Sequence, residues 1–397
     1  MIAKKMVKYV EGNSVIRAMF EEGKNMAEKY GAENVYDFSL GNPSVEPPES
    51  VAKKIKEILD TKAPNYVHGY MSNAGYEEVR DKMACHIKNT FGTSAAAKNI
   101  IMTVGAAGGL NIMLKTLLDP GDEVIVFAPY FVEYNNYIAN YDGVVVKIAP
   151  NPPSFHPDLD EFEKKITAKT KAVIVNNPNN PTGVIYSEDT VKKMADILVN
   201  KEKEFGTSIY LISDEPYREL AFDGAEVPYL PNYYHNAIVG YSYSKSLSLP
   251  GERIGYVFIP DSVDDCDNVI TAATIANRII GFVNAPSLMQ LAVGECVEEK
   301  TNIAAYDENR KLLYESLTDM GFEVVKPEGA FYLWLKAPIE NDSEFSAKAK
   351  EYNLLLVPGS SFAGPGYVRI AYCVSNDMIR KSLSAFRKLA DYYGLHK

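Results

Sequence analysis

Cysteine, tryptophan and long apolar runs are all scarce in this sequence of 397 residues. Its four cysteines lie far apart and form no C-x-x-C pair, which argues against a disulfide framework and favours a reducing compartment. Apolar runs such as EVIVFAP have the length of strands, well short of the ~20 residues that a membrane span requires. The N-terminal segment contains no targeting signal. We therefore expect a cytoplasmic protein with no membrane partner.

Positive charge and histidine are scarce as well. Lysine and arginine total 41 against 52 aspartate and glutamate residues, which gives a net charge of −11, and the lysines are scattered singly. Because nucleic-acid-binding proteins usually carry a basic face or stripe, we expect no nucleic-acid partner. The five histidines form no pair at ligand spacing, so we expect no metal site.

Short, continuously apolar segments alternate with helical segments through the middle of the chain. From residue 99 onward the predicted strands are NIIMTV, EVIVFAP, GVVVKIA, KAVIVNN, SIYLISD, AIVGYSYS and RIGYVFI. Strands that are apolar on both faces and alternate with helices are typical of a parallel sheet that is covered on both sides. The sequence therefore predicts an α/β fold with a mainly parallel, three-layer sheet.

The pattern changes beyond about residue 285. A helical stretch from 285 to about 317 precedes the strands FEVVKP, FYLWLKA, LLLVPG and YVRIAYC, which together are typical of an α+β unit. At roughly 150 residues per domain, the length allows two or three domains. We predict a large α/β domain at 51–284 and a small C-terminal α+β domain at 285–397. Residues 1–50 are expected to supply an N-terminal arm, helix and strand to the small domain.

Polar residues follow several of these strands, at the edge where an open parallel sheet binds ligands. Gly105 opens the turn GAAGG, whose free N–H groups suit an anion, although close packing explains such glycines equally well. NNPNNPTG is an ordinary turn sequence. Asp214 and Glu215 end a buried strand, where carboxylates are costly without a partner. Lys245 ends another strand and is followed by Arg253. Each segment taken alone has an ordinary structural explanation.

Taken together, these segments resemble the class I and II aminotransferases of the pyridoxal-phosphate fold type I group. The shared motifs come in the family's order and at its spacing, and they cover nearly the whole chain from about residue 35. They are YMSNAGYEEVR (70–80), DPGDEVIVFAPYF (119–131), NNPNNPTG (176–183), DEPY (214–217), SYSKSLSLPGERIGY (242–256) and YVRIAY (367–372). The resemblance implies the fold of that family and its cofactor, pyridoxal 5′-phosphate, bound by the large domain.

The resemblance implies roles for the residues around the cofactor ring. Lys245 is expected to bind the cofactor as a Schiff base, the internal aldimine, and to move a proton as general acid and base. Asp214 is expected to pair with the pyridine nitrogen, so that the protonated ring can act as an electron sink. Tyr217 and Asn180 are expected to hydrogen-bond the phenolic oxygen of the ring, and Phe131 is expected to stack on it.

The resemblance also implies how the phosphate and the substrate are bound. The expected phosphate donors are Ser242, Arg253, the backbone N–H groups of Ala106 and Ala107, and Tyr70 from a neighbouring subunit. Because Tyr70 belongs to a second chain, we expect a homodimer with shared active sites. Arg369 corresponds to the arginine that binds the substrate α-carboxylate. Asn180 is also expected to contact the substrate, and Gly41 lets the backbone approach that carboxylate.

The leading hypothesis for function is a ping-pong amino transfer. An L-amino acid leaves its nitrogen on the cofactor, and a 2-oxo acid such as 2-oxoglutarate collects it. Aspartate is the favoured donor, with alanine or aromatic donors as alternatives. A dicarboxylate needs a second cation, and Arg278 lies near the position where some relatives supply one across the dimer, although a surface arginine is an equally good explanation.

Two other functions fit the same motifs. A pyridoxal-phosphate β-lyase that acts on cystathionine or cysteine conjugates uses the same lysine, aspartate and α-carboxylate arginine. A non-catalytic sensor also binds this cofactor, but such proteins normally carry an added DNA-binding domain, which we do not expect here. The motifs alone do not separate the aminotransferase from the lyase.

Overall fold

The helices and strands follow one another closely in a computed structural model that describes residues 2–11 and 15–395. The helices are, in chain order, α1 (Lys4–Glu11), α2 (Val15–Tyr30), α3 (Glu49–Thr61), α4 (Pro64–His68), α5 (Glu77–Phe91), α6 (Gly105–Leu117), α7 (Glu133–Ala139), α8 (Leu159–Lys165), α9 (Glu188–Phe205), α10 (Tyr243–Ser246), α11 (Cys266–Ile279), α12 (Ser287–Glu295), α13 (Ile303–Asp319), α14 (Asp342–Glu351) and α15 (Asn376–Tyr392). The strands are β1 (Tyr36–Asp37), β2 (Ile100–Thr103), β3 (Glu123–Phe127), β4 (Val144–Ile148), β5 (Thr170–Asn176), β6 (Tyr210–Asp214), β7 (Ala237–Ser242), β8 (Gly255–Phe258), β9 (Val324–Val325), β10 (Tyr332–Lys336), β11 (Leu354–Leu355), β12 (Val357–Pro358) and β13 (Tyr367–Ala371). Within these described ranges, no helix combines the length and the apolar character that crossing a bilayer demands.

The central feature is a seven-stranded sheet in the order β2-β8-β7-β6-β5-β3-β4. The strands from β7 to β4 run parallel, while β8 runs antiparallel to both of its neighbours. Successive residues of β6 pack on opposite faces, because strand side chains alternate. Leu211 joins an apolar cluster with Leu198 of α9, whereas Ile212 joins another with Leu114 of α6. The sheet is the middle of three layers, which confirms the predicted α/β class.

The C-terminal part of the chain builds a second, smaller unit. Strands β12, β13, β10 and β9 form an antiparallel sheet, and β1 pairs in parallel with β11. Helices α13 and α15 contribute Leu313 and Phe386 to the core of this unit. The same core contains Phe38, from the segment that follows β1. In this arrangement the N-terminal strand lies with the C-terminal strands.

The segment around residue 285 differs from the predicted pattern. The single helical stretch expected from 285 to about 317 is divided into α12 and α13. Helix α12 packs against α3 and α5, and its Leu291 lies in one apolar cluster with Val51 and Met83 of those helices. We therefore propose that the large domain extends to Glu295, the end of α12. The division into domains itself stays a prediction.

Candidate functional site

Three neighbouring parallel strands end at one edge of the central sheet, and each ends in a polar residue. Asn176 of β5 lies opposite Asp214 of β6, and β7 ends at Ser242. Asn176 Nδ2 donates to the Asp214 carbonyl at 2.9 Å, which ties two of the strand ends together. A cleft opens at this edge. It is lined by Ala106, Ala107, Leu110, Phe131, Tyr137, Asn176, Asn180, Asp214, Pro216 and Tyr217.

Asp214 is a buried carboxylate with one open oxygen. The residue is 4% exposed, and its Oδ2 accepts a hydrogen bond of 2.5 Å from Tyr134 Oη. Its Oδ1 has no hydrogen-bond partner among the described residues. Burial raises the pKa of Asp214 from 3.8 to about 7; the Tyr134 hydrogen bond opposes this rise and the charge of Glu215 adds to it. Such a carboxylate is complementary to a cationic N–H group in the cleft.

The neighbouring carboxylate, Glu215, already has its partners. Arg218 donates from Nη2 to Glu215 Oε1 at 2.6 Å and from Nε to Oε2. Ser213 Oγ also donates to Oε1, at 2.6 Å. Glu215 therefore belongs to a structural ion pair, and of the two acidic residues only Asp214 remains open to a ligand.

Lys245 lies on α10, the short helix that follows β7. Its Nζ donates to the Gly41 carbonyl at 2.6 Å and lies 5.2 Å from the centre of the Phe331 ring. Burial is the main cause that lowers the pKa of Lys245 from 10.5 to about 8, and the charges of Arg369 and Arg253 act in the same direction. Part of the amine is therefore unprotonated, and nucleophilic, near neutral pH.

Arg369, on β13, places a buried cation beside the cleft. Its Nη1 donates to Asn180 Oδ1 at 3.1 Å, and its Nη2 donates to the Ser39 carbonyl at 2.5 Å. The guanidinium carbon lies 4.5 Å from the centre of the Tyr332 ring and 4.6 Å from that of Phe362. Since these hydrogen-bond partners are neutral, the guanidinium remains complementary to a carboxylate.

Tyr217 and Tyr332 form a buried pair of hydroxyl groups whose Oη atoms are 2.9 Å apart. The chain at Gly41 passes so close to this pair that an added Cβ would lie 2.1 Å from Tyr332 Oη. Only glycine therefore lets the segment after β1 bring its carbonyl to Lys245. Sequence reasoning did not identify Tyr332, because a tyrosine in a buried strand is ordinarily a packing residue.

The predicted phosphate-binding residues lie around the start of α6. Ala106 and Ala107 are in its first turn, after Gly105, whose φ is +75°. A Cβ added to Gly105 would lie 2.7 Å from Arg253 Nη2, so the arginine lies against this turn. Ser242 is buried at the end of the nearby strand β7. The free N–H groups of a helix N-terminus, together with an arginine, suit an anion such as phosphate.

The single chain does not bring every predicted residue to the cleft. Phe131 lines it together with Asp214. Tyr70, in contrast, is 95% exposed, and Arg278 is exposed on the last turn of α11. Neither of these two residues lines the cleft.

Two tyrosines of α7 were missed by sequence reasoning. Tyr134 donates to Asp214, and Tyr137 lines the cleft, where burial raises its pKa to about 12. The signal was present in the spacing of Phe131, Tyr134 and Tyr137, because residues three apart lie on the same side of a helical turn. Phe131 and Tyr137 line the cleft, and Tyr134 packs against Phe131 and donates to Asp214.

A group of candidate metal ligands lies at the opposite edge of the sheet. Glu202, His235 and Asp264 place ligand atoms within 4.8 Å of one another. Asn236 Nδ2 donates to Glu202 Oε1 at 2.8 Å and to Asp264 Oδ2 at 2.9 Å, so hydrogen bonds already serve both carboxylates. Sequence spacing did not reveal this group, since its members come from separate elements.

Comparison with known proteins identifies the family. Residues 33–386 match the family model for aminotransferase class I and II, so the chain belongs to that family. The protein is therefore an aminotransferase, and pyridoxal phosphate, which members of this family use, is its cofactor.

Individual relatives match along nearly the whole chain. The aspartate/prephenate aminotransferase of Thermus thermophilus is 32% identical over 357 residues, which cover 88% of this chain and 90% of the relative. Aromatic-amino-acid aminotransferase 2 of Thermococcus litoralis is 30% identical over 388 residues, which cover 95% of each. The crystal structure of an amino transferase from Eubacterium rectale has a TM-score of 0.97 at 45% identity and covers 99% of each chain. This protein thus has the family's fold throughout.

The donor set of the cleft fits pyridoxal phosphate. Asp214 Oδ1, which is buried and has no partner among the described residues, is complementary to a protonated pyridine nitrogen. The first turn of α6 and Arg253 suit the phosphate, and the partly unprotonated amine of Lys245 suits the aldehyde carbon. Each functional group of the cofactor therefore has a chemically matched residue in or beside the cleft.

Proposed function

We propose that the protein transfers the amino group of an L-amino acid, with aspartate favoured, to a 2-oxo acid such as 2-oxoglutarate in a ping-pong reaction. One observation carries the proposal: a half-buried amine, an open carboxylate and a buried guanidinium lie in or beside one cleft. They belong to Lys245, Asp214 and Arg369. The two half-reactions use the same cleft because both substrates carry an α-carboxylate.

Each residue around the cofactor ring has its own role in the reaction. Bound pyridoxal phosphate supplies an electron sink when the substrate Cα loses its proton. Lys245 would bind the cofactor and, once free of it, would move the proton at the substrate Cα as general base and acid. Asp214 would hold a proton on the ring nitrogen, while Tyr217 and Asn180 would bind the phenolic oxygen. Arg369 holds the α-carboxylate and thereby orients Cα toward Lys245.

The remaining residues anchor the cofactor and admit the substrate. Ser242, Arg253 and the N–H groups of Ala106 and Ala107 bind the phosphate. Phe131, which lines the cleft, would stack on the ring and keep water from that face. Gly41 brings the backbone close to the α-carboxylate, where any side chain would collide with Tyr332. Ser242 lies at the end of a strand, and Ala106 and Ala107 lie on the first turn of a helix, so rigid elements of the fold would hold the phosphate.

Aspartate is the favoured donor for two reasons. The Thermus thermophilus relative is named for aspartate, and aspartate shares its distal carboxylate with 2-oxoglutarate, so that one cation can serve both substrates. Arg278 is our candidate for this cation, reaching the cleft from a neighbouring subunit. The Thermococcus litoralis relative makes an aromatic donor the second candidate.

A panel of amino donors tests this function. Holoenzyme is mixed in turn with aspartate, alanine, phenylalanine and β-chloroalanine, and the visible absorbance of the cofactor is followed before and after addition of 2-oxoglutarate. We expect the largest kcat/KM with aspartate, and recovery of the absorbance with 2-oxoglutarate. Pyruvate release from β-chloroalanine that outpaces amino transfer would instead establish a β-lyase. Cofactor that binds but reacts with no donor would establish a sensor.

Arg369→Ala should weaken every donor, because all α-amino acids share the carboxylate that Arg369 binds. We expect the KM for aspartate, alanine and phenylalanine to rise about 100-fold, since removing one partner of a buried charge pair costs about 3 kcal/mol. Among the three donors, Arg278→Ala should raise the KM for aspartate alone. Steady-state kinetics of both variants with the three donors provide the check. Equal effects of Arg278→Ala on aspartate and alanine would remove its distal-carboxylate role.

We also propose that two copies form a homodimer with shared active sites. Tyr70 presents a large aromatic ring that is almost wholly exposed. Helix α11 exposes Ile275 and Ile279 on either side of Arg278, and α1 exposes Val10. Exposed apolar side chains that cluster into a patch are typical of interaction surfaces, and we expect the dimer interface to cover these residues. A second subunit placed over them allows Tyr70 to reach the phosphate of the neighbouring site.

Mixing two impaired variants should restore activity if the sites are shared. In a heterodimer of Tyr70→Ala and Lys245→Ala chains, one site carries both changes and the other carries neither. We therefore expect about half of the wild-type activity per purified heterodimer, as two-fold symmetry requires. A mixture of Asp214→Ala and Lys245→Ala chains is the control and should stay inactive, because both residues come from the same chain. Absence of recovery in the first mixture would contradict the shared site.

A further inference from the structure

Tyr134 is a buried tyrosine whose hydroxyl contacts Asp214, one of the residues that line the cleft. It lies on α7 and is 1% exposed. Its Oη donates to Asp214 Oδ2 at 2.5 Å, a length typical of a hydrogen bond between a hydroxyl and a carboxylate. Asp214 is thus held on one oxygen by protein, while the other oxygen has no partner among the described residues.

A carboxylate at the end of a short side chain needs such a hydrogen bond to keep one orientation. The terminal torsion of aspartate has a broad, roughly two-fold energy profile, so packing alone fixes it poorly. The bond to Tyr134 distinguishes the two oxygens and leaves Oδ1 as the open acceptor. The Tyr134 hydroxyl therefore determines which oxygen of Asp214 is open to a ligand in the cleft.

Tyr134 also contacts both of the residues that we expect to meet the cofactor ring, Phe131 and Asp214. Its ring packs edge to face against Phe131, with 5.7 Å between the ring centres. Phe131 is the residue that we expect to stack on the cofactor ring, and Asp214 is the residue that we expect to pair with its nitrogen. One side chain therefore sets the relative position of both.

The Tyr134 hydroxyl matters because burial and the charge of Glu215 both raise the pKa of Asp214. Glu215, the next residue in the chain, and the tyrosines Tyr134, Tyr137 and Tyr217 face it, and Glu215 disfavours its ionised form. Burial and the charge of Asp214 raise the pKa of Tyr134 well above its usual value, so the hydroxyl keeps its proton and remains a donor. The hydrogen bond from Tyr134 favours the ionised carboxylate that a protonated ring requires.

We propose that Tyr134 is the positioning residue that orients Asp214 toward the ring of the cofactor. The proposal rests on the role assigned to Asp214 above. It requires no contact between Tyr134 and the cofactor, because the effect passes through the carboxylate.

Tyr134→Phe tests the proposal, because it removes the hydroxyl and keeps the ring. We expect the dissociation constant of pyridoxal phosphate from the apoprotein, measured by equilibrium dialysis, to rise about 10-fold, as for loss of a hydrogen bond to a charged group. The kcat with aspartate should fall by a similar factor, while its KM stays within about two-fold of the wild-type value. Tyr130→Phe is the matched control: its hydroxyl binds Asn135 at 2.8 Å, and its ring stacks on Tyr134. This control should change neither quantity.

A double-mutant cycle separates positioning from packing. In an Asp214→Asn background, Tyr134→Phe should produce no further rise in the dissociation constant, because the ionised carboxylate through which it acts is gone. A further 10-fold rise there, or a Tyr134→Phe protein that behaves like Tyr130→Phe, would overturn the positioning role. If Asp214→Asn itself left cofactor binding and turnover unchanged, the proposed role of Asp214 would fail instead.

Discussion

Lys245→Ala protein is expected to show no measurable amino transfer with any donor. Lys245 is the lysine whose amine lies beside the cleft, where burial lowers its pKa to about 8 and so leaves a nucleophilic fraction near neutral pH. Its loss removes both the group that binds the cofactor and the base that moves the Cα proton, and together these amount to several orders of magnitude in rate. The visible absorbance of protein-bound pyridoxal phosphate should disappear as well. Absorbance spectra after gel filtration and an amino-transfer assay measure the two effects.

The control for this variant is Lys203→Ala. Lys203 is exposed on α9, away from the cleft, and its replacement should change neither spectrum nor turnover. Retained turnover in Lys245→Ala protein would remove Lys245 from the mechanism, and another amine would have to be sought. Loss of turnover in both variants would point to a general loss of fold, which circular dichroism would reveal.

Asp214→Asn is expected to lower kcat by about 10²–10³-fold, the usual cost of removing one preorganised electrostatic group from an active site. An amide at this position does not hold a proton on the ring nitrogen, so the ring becomes a poorer electron sink. Steady-state kinetics with aspartate and 2-oxoglutarate measure the loss. A kcat within two-fold of wild type would contradict the pairing of Asp214 with the ring.

The same substitution should stabilise the apoprotein at high pH. The pKa of Asp214 is raised on folding, from 3.8 to about 7, so its favourable contribution is complete below pH 3.8 and is lost as the pH rises through 7. Asparagine carries no charge to bury. We therefore expect the free energy of unfolding of the variant apoprotein to exceed that of wild type by a few kcal/mol at pH 8, at roughly 1.4 kcal/mol per pKa unit, and by less at pH 5. Urea unfolding at both values checks the trend, and a gap that widened toward pH 5 would contradict it.

The sequence placed Asp214 and Lys245 at the ends of predicted strands, whereas their roles came from the family resemblance, because each segment alone has an ordinary structural explanation. Asp214 and Lys245 each follow a run of apolar residues, and a polar group in that place is conspicuous. The sequence could not show that Glu215 is paired with Arg218, whereas Asp214 is open. That difference depends on side-chain direction, which strand periodicity does not specify.

The tyrosines show a second limit of prediction from the sequence. With 27 tyrosines in the chain, composition does not distinguish a packing residue from one whose hydroxyl binds a carboxylate. Tyr134 and Tyr332 act through a hydroxyl that meets a residue far away in sequence. The break between α12 and α13 was missed for a related reason, since packing against α3 and α5 decides where α12 ends.

The register of β5, β6 and β7 determines when during folding the cofactor can bind. Asn176, Asp214 and Ser242 become neighbours only after these parallel strands have paired, and each pairing closes a long loop, which is slow. An unpaired chain has no cleft for the cofactor to recognise. The cofactor therefore does not guide early folding. It binds the finished sheet, and because it binds only the folded protein, the free energy of unfolding rises with the cofactor concentration.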